Sequence, residues 1–195
     1  MDARRGDWIQ TYTLKQFWPL DPRPEDVDIQ DIGHALSMQC RFTGHCHTFY
    51  SVAEHCVRVS ERAGTLMQQI GGFSHDVMRA MQWGLLHDAA EAYLVDLARP
   101  VKHDESMAAY RRAERQVMIA VRAKFGLVGG LPDEVKDADN DLLWTEARDL
   151  FPSCHPAWTW RGEPLAERIQ PMTQPEAKAA FLARFSVLFG AEVAR

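Results

Sequence analysis

A chain of 195 residues, 46% hydrophobic and 10% aromatic, has enough apolar material for one domain with a proper core. It has no apolar run of about 18 residues, the length that would suggest a membrane span. Its formal net charge of −5 argues against a protein built around broad nucleic-acid binding. The four cysteines, Cys40, Cys46, Cys56 and Cys154, form no C-x-x-C pair and read as reduced thiols. The start, Met1-Asp-Ala-Arg-Arg-Gly, lacks the apolar core of an export signal, so a cytoplasmic protein is expected.

Residues 1–26 read as an irregular arm. Trp8, Tyr12, Phe17 and Trp18 are interrupted by Pro19, Pro22 and Pro24, which exclude a long helix and leave the aromatics to lie over the core. Six helices are expected after it. The first covers about Val27–Met38. The second opens at Ser51 with Glu54 three residues on, a capping-box pattern, and has Gly64 as its stop. The third spans roughly Phe73–Tyr93, with a break near its end. The fourth runs from about Ser106 to Phe125 and stops at Gly126. The fifth runs from near Pro132 to Leu150, before Pro152. The sixth begins at Thr173, with Glu176 completing a second capping box, and stops near Gly190. The Pro- and Trp-rich stretch 152–171 reads as irregular, and Trp158-Thr-Trp160 as packing aromatics or a base-stacking surface. The chain is therefore expected to be all-α: a single domain over 1–195, a compact bundle with its core at about 27–150 and a C-terminal loop and helix at 151–195.

The pair His87-Asp88 sits in Trp83-Gly-Leu-Leu-His-Asp-Ala-Ala-Glu-Ala-Tyr93, an otherwise apolar segment. An imidazole and a carboxylate are costly to bury together unless something pairs with both, and a divalent metal does so. Helical spacing puts His55 on the apolar stripe of Val52, Cys56, Val59 and Ala63. Its neighbour Glu54 turns away toward a surface ion pair with Arg58. In the fifth helix Asp139 shares the stripe of Val135, Leu142, Leu143 and Glu146, whereas Asp137 and Asp141 face elsewhere. Small residues at Ala80 and Gly84 allow another helix close approach. His55 also reads as a core histidine bonded to a carbonyl, Asp139 as half of a buried ion pair, and His87 with Glu91 as an ordinary i, i+4 pair. Two His and two Asp leave coordination positions open, the pattern of a catalytic rather than a sealed structural metal site. Mixed nitrogen and oxygen ligands suit Mn, Co, Ni, Fe or Zn without choosing among them.

The pattern His55, His87-Asp88, Asp139, with gaps of 32 and 51 residues, resembles the HD-domain metal-dependent phosphohydrolase superfamily. The string Leu86-His-Asp-Ala-Ala-Glu-Ala-Tyr-Leu-Val-Asp-Leu-Ala-Arg-Pro-Val-Lys102 looks like small bacterial 5′-deoxynucleotidases and phage-type deoxynucleotide triphosphohydrolases, a likeness covering about residues 36–150. The resemblance implies an HD-type bundle and a metal that activates water for hydrolysis of (deoxy)nucleotides. The products would be phosphate from monophosphates or tripolyphosphate from triphosphates. It implies Glu91 and Asp96 as catalytic acids, Asp96 either positioning a proton or holding a second ion such as Mg, and Arg41 as a phosphate contact. Phe42 stands where the subgroup often has Trp beside the sugar. His45 and Lys102 are further candidates for phosphate. Homo-oligomers are expected, as in relatives.

Rival readings remain. Cys40, His45, Cys46 and His47 offer a poorly spaced structural zinc. Another phosphorylated metabolite, such as an alarmone, is an alternative substrate, and a non-catalytic metal-stabilised nucleotide-binding module is an alternative role. No Gly-Tyr-Pro follows for a cyclic-dinucleotide phosphodiesterase, and no extra His ligands are identifiable for a diiron oxygenase.

Overall fold

The computed structural model of the protein describes residues 4–158 and 162–190. Trp160 of the aromatic pair therefore lies outside the described residues. The arm opens with two short antiparallel strands, β1 (Ile9–Gln10) and β2 (Gln16–Phe17), paired Ile9 to Phe17. Neither was expected from the sequence. Of the arm's aromatics Phe17 lies in the core as expected, whereas Trp8 and Tyr12 are exposed. Phe17 is fully buried and stacks on Tyr93 with ring centroids 3.7 Å apart.

Among the described residues eight α-helices follow: α1 (Ile29–Met38), α2 (Val52–Gln69), α3 (Ser74–Leu86), α4 (Glu91–Leu94), α5 (Arg99–Lys102), α6 (Ala108–Phe125), α7 (Asp133–Leu150) and α8 (Gln174–Phe189). The helical bundle matches the expected all-α class. Helix α2 runs through its middle, packed against α3, α7 and α8. None of the described helices is long and apolar enough to cross a membrane.

Several ends follow local chemistry. Helix α6 stops at Gly126 in the left-handed conformation, at φ 67°, and α8 opens with the reciprocal Thr173–Glu176 capping box. Two expectations about α2 need correction. It continues past Gly64 to Gln69, because Gly64 serves helix contact rather than termination. A Cβ there would stand 2.3 Å from Met81 Cε. Its N-terminus is only half a capping box. Ser51 accepts from the Glu54 N–H, but the Glu54 carboxylate is fully buried and accepts instead from Arg58 and the Met172 N–H. The expected surface pair is thus an interior clamp joining α2 to the segment before α8.

The third predicted helix is two. Helix α3 ends at Leu86, and residues 87–90 form tight turns, with the Ala89 N–H donating to Leu86 C=O and the Glu91 N–H to Asp88 C=O. His87 and Asp88 therefore lie at a helix end, and Glu91 opens the next helix. Gly84, one turn earlier, meets α2 backbone to backbone: a Cβ on it would fall 2.7 Å from Ser60 Cα. That approach brings the end of α3 beside His55.

Candidate metal centre and phosphate pocket

Three elements deliver the four expected metal ligands. His55 lies in the first turn of α2 and is fully buried. His87 and Asp88 come from the turn after α3. Asp139 comes from α7 and is partly exposed at the mouth of the pocket. His55, His87 and Asp88 offer ligand atoms that all lie within 4.8 Å of one another. Asp88 Oδ2 is 3.1 Å from His87 Nε2 and 3.8 Å from His55 Nε2, and Asp139 Oδ1 is 3.2 Å from His55 Nε2. The core-histidine reading of His55 gives way to this convergence.

Each imidazole is oriented from behind. His55 Nδ1 is 2.7 Å from Glu146 Oε1, and His87 Nδ1 is 2.8 Å from Gly84 C=O. A carboxylate and a carbonyl only accept, so Nδ1 carries a proton in both rings, and in the neutral form of each ring the Nε2 lone pair faces the pocket. Both Nε2 atoms are buried and have no hydrogen-bond partner. Two orphaned imidazole nitrogens facing two carboxylates fit a divalent cation, and an acceptor behind a ligand His is the usual support of such a site.

The electrostatics agree. Burial alone disfavours an imidazolium at His87, yet Asp88 outweighs it and raises the pKa well above the ordinary histidine value. Burial likewise opposes the charged form of Asp139, but His55 and His87 hold its carboxyl down at about 2. The pocket attracts positive charge.

Arg41 and Glu146 form the second layer. Arg41 follows α1 in a 3-10 turn, Arg41–Gly44, where Phe42 and Thr43 have positive φ of 55° and 54°. These are unusual values for side-chain-bearing residues and concentrate strain beside the pocket. Arg41 directs Nε and Nη2 to Glu146 Oε2, each at 3.1 Å, and its Nη1 lies 4.0 Å from Asp88 Oδ2. Glu146 is fully buried and holds His55, a candidate metal ligand, with one oxygen and Arg41 with the other. The sequence reading placed Glu146 on the inward stripe of α7 but gave it no role. Its partners are 91 and 105 residues away, and no local pattern reveals such pairings.

Glu91 and Asp96 flank the pocket on α4 and just beyond it. Glu91 is buried, its Oε2 has no hydrogen-bond partner, and its Oε1 is 3.8 Å from Lys102 Nζ. Burial first, then Asp88 and Asp96, push its carboxyl up to about 9. Lys102 is also paired with Glu114. Phe42 packs edge-on to Phe151 at 5.1 Å and under the Arg41 guanidinium at 5.3 Å. His45 is exposed, and no bond joins it to the cluster. The zinc alternative gains nothing: in that loop Cys40 and Cys46 face each other at 3.5 Å, while His47 bonds the Asp149 carbonyl.

Comparison with known proteins agrees with this geometry. The family described as 5′-deoxynucleotidase YfbR-like matches residues 41–151, from Arg41 to the residue after α7. The chain belongs to the YfbR-like 5′-deoxynucleotidase family. An uncharacterized Escherichia coli (strain K12) protein, YfdR, is 34% identical over 184 residues, covering 93% of this chain and 95% of that protein. An uncharacterized Rhodobacter capsulatus protein is likewise 34% identical, over 198 residues, with the same coverage of each. As a YfbR-like chain, the protein falls among the HD-type phosphohydrolases, a family that generally binds divalent metals, and its His/Asp cluster offers candidate ligands for one.

Proposed function

We propose that the protein is a metal-dependent 5′-nucleotidase that releases phosphate from deoxynucleoside monophosphates. One observation carries the reading: two buried imidazole nitrogens that make no hydrogen bond converge on Asp88, at 3.1 and 3.8 Å, and the Arg41 guanidinium stands 4.0 Å from the same carboxylate. A cation seat and a phosphate-binding fork therefore adjoin.

His55, His87, Asp88 and Asp139 would hold one divalent transition metal. When bound, that ion supplies Lewis-acid charge at the phosphoryl group and activation of water. The protein's own groups divide the rest. Arg41, locked by Glu146 through two nitrogens, keeps Nη1 turned toward the cleft to receive a phosphoryl oxygen. Glu91, protonated at neutral pH in the cation-free pocket, can donate that proton to the departing 5′ oxygen. A cation nearby lowers its pKa toward the working range. Lys102, tied to Glu114, acts on Glu91 rather than as a free phosphate arm. Phe42 would lie against the sugar.

Charge balance favours a monophosphate over a triphosphate. Asp88, Asp139, Glu146, Glu91, Asp96 and Glu114 crowd around a site whose basic groups, Arg41 and Lys102, are both already paired. A longer phosphate chain brings more negative charge and finds no free cation there. The description of the family as 5′-deoxynucleotidases supports the same choice. The exposed Trp8, Ile9, Tyr12 and Leu14 of the arm support self-association, which sedimentation of the full chain would read.

The test is a screen of chelator-stripped protein reloaded with Mn, Co, Ni, Fe, Zn or Mg against ribo- and deoxynucleoside mono-, di- and triphosphates, with products separated by chromatography. Metal-restored phosphate release from deoxynucleoside monophosphates is expected. Tripolyphosphate from triphosphates, or no release with any metal, would overturn the proposal.

A further inference from the structure

The segment between Glu91 and Asp96 is held in a conformation it does not prefer. Val95 has φ 71° and ψ 151°, a region that is essentially glycine's and is severely disfavoured for a β-branched side chain. Its side chain is 53% exposed, so packing does not offset the strain. Something else must hold the backbone.

Two side chains grip the peptide unit that joins Val95 to Asp96. At one end the Asp96 N–H donates to Gln39 Oε1 at 2.9 Å. At the other, the Val95 carbonyl accepts from the Tyr110 hydroxyl at 2.7 Å. The Gln39 amide also donates from Nε2 to the Glu91 carbonyl at 3.0 Å, and the Val95 N–H donates to that same carbonyl at 2.9 Å. Both hydrogen-bonding ends of one amide are thus spent on the two residues that carry the candidate acids. Gln39 reaches the other side of the pocket through the chain. It ends α1, its carbonyl accepts from the Val52 N–H at the start of α2, and Arg41 is two residues on.

We propose that Gln39 is a positioning residue, which with Tyr110 clamps the strained Val95–Asp96 peptide and sets the Asp96 carboxylate relative to Glu91 and Arg41. The inference rests on the hydrolase reading for its catalytic consequence, and on the hydrogen bonds alone for its structural one. A glutamine is suited to the role because one side chain offers a donor and an acceptor side by side. Asparagine is one methylene too short to reach both partners, and glutamate would set an oxygen against the Glu91 carbonyl. Without the clamp, Val95 relaxes to negative φ and the Asp96 carboxylate swings out of place. A misplacement of about 1 Å at a catalytic group costs on the order of a hundredfold in rate.

The experiment uses the full-length, metal-loaded protein with a deoxynucleoside monophosphate. It pairs steady-state kinetics with hydrogen exchange at the Asp96 amide. Gln39→Ala is expected to lower kcat by about 10- to 100-fold. It should leave metal stoichiometry unchanged, move KM by less than about threefold, and speed exchange at residues 95–96. Tyr110→Phe, which removes only the hydroxyl, should shift both readouts in the same direction but less. Adding Val95→Gly to Gln39→Ala should restore part of kcat, because glycine adopts this conformation without strain.

Unchanged kcat and unchanged exchange in Gln39→Ala overturn the clamp. So does a kcat loss that Val95→Gly leaves untouched and that merely follows a lower Tm. If Asp96→Asn keeps wild-type turnover, the catalytic assignment of Asp96 is what fails. If the wild type releases no phosphate, the hydrolase reading fails, and exchange at the Asp96 amide still decides whether the clamp exists.

Discussion

Glu146 Oε1 lies 2.7 Å from His55 Nδ1, while its other oxygen accepts from Arg41 Nε and lies 3.1 Å from Arg41 Nη2. One buried carboxylate thus sets the tautomer of a candidate metal ligand and the direction of the candidate phosphate fork. Burial opposes a charged Glu146, but Arg41 and His55 outweigh it and keep its pKa below the ordinary glutamate value.

Glu146→Gln should therefore damage two functions at once. The amide retains the shape but not the charge, and Arg41 is left buried without its counter-ion. Loss of such support behind a metal ligand typically costs 10- to 100-fold in metal affinity or activity, on the order of one to two decades. Breaking one side of a buried ion pair costs about 3–5 kcal/mol of stability. Metal titration and denaturant melts of the variant check both. A variant with wild-type metal affinity and a raised KM alone would leave Glu146 serving Arg41 only.

Gly84→Ala tests the helix contact that places the pocket. The added methyl falls 2.7 Å from Ser60 Cα, a backbone atom that cannot swing aside, so α2 and α3 must separate. Overpacking of this kind costs about 1–3 kcal/mol. Because His87 Nδ1 bonds the Gly84 carbonyl, the shift should also weaken metal binding. The checks are Tm and metal affinity, and both should fall.

The acid limb of stability should depend on Asp149, at the end of α7. Its carboxylate is bonded by Arg148, Arg168 and the Ile169 N–H, and clamps the loop before α8. Burial raises its pKa, but those donors win and hold it at about 2, below the ordinary aspartate value of 3.8. A depressed folded-state pKa contributes stability that is present above the unfolded value and lost as pH falls through the folded one. The contribution, about 2 kcal/mol, should therefore disappear between roughly pH 4 and pH 2. Asp149→Asn should be less stable than wild type at pH 7, with the gap closing toward pH 2 in denaturant melts. A gap that stays constant across that range contradicts the assignment.

Much of the fold was legible because helix-forming signals are local. Gly126 ends α6 and Thr173–Glu176 opens α8 as their residue types require. The convergence of the four candidate residues was legible because buried charge on an apolar stripe needs a partner, and 3.6-residue spacing separates His55 from Glu54 and Asp139 from its acidic neighbours. Other features depend on partners far along the chain. Gly64 looks like a stop and is a contact for Met81. Glu54 looks like a surface charge and is buried under the Met172 amide. The break expected near the end of the third helix is there, and local tight-turn hydrogen bonds fix its place after Leu86. Gln39 sits at a helix end with no local pattern, and only the fold brings it to Glu91 and Asp96.

The most direct measurement is phosphate release from deoxynucleoside monophosphates by reloaded wild-type protein and by Asp88→Asn, with bound metal counted in each. Asp88 Oδ2 faces both histidine nitrogens and the Arg41 fork, so its charge is shared by every part of the proposed centre. The expected result is about one tightly bound ion in the wild type, activity abolished by chelation and restored by metal, and a rate loss of about a thousandfold or more in Asp88→Asn. Near-wild-type release by Asp88→Asn, or release that survives chelation, would contradict the metal-centred reading.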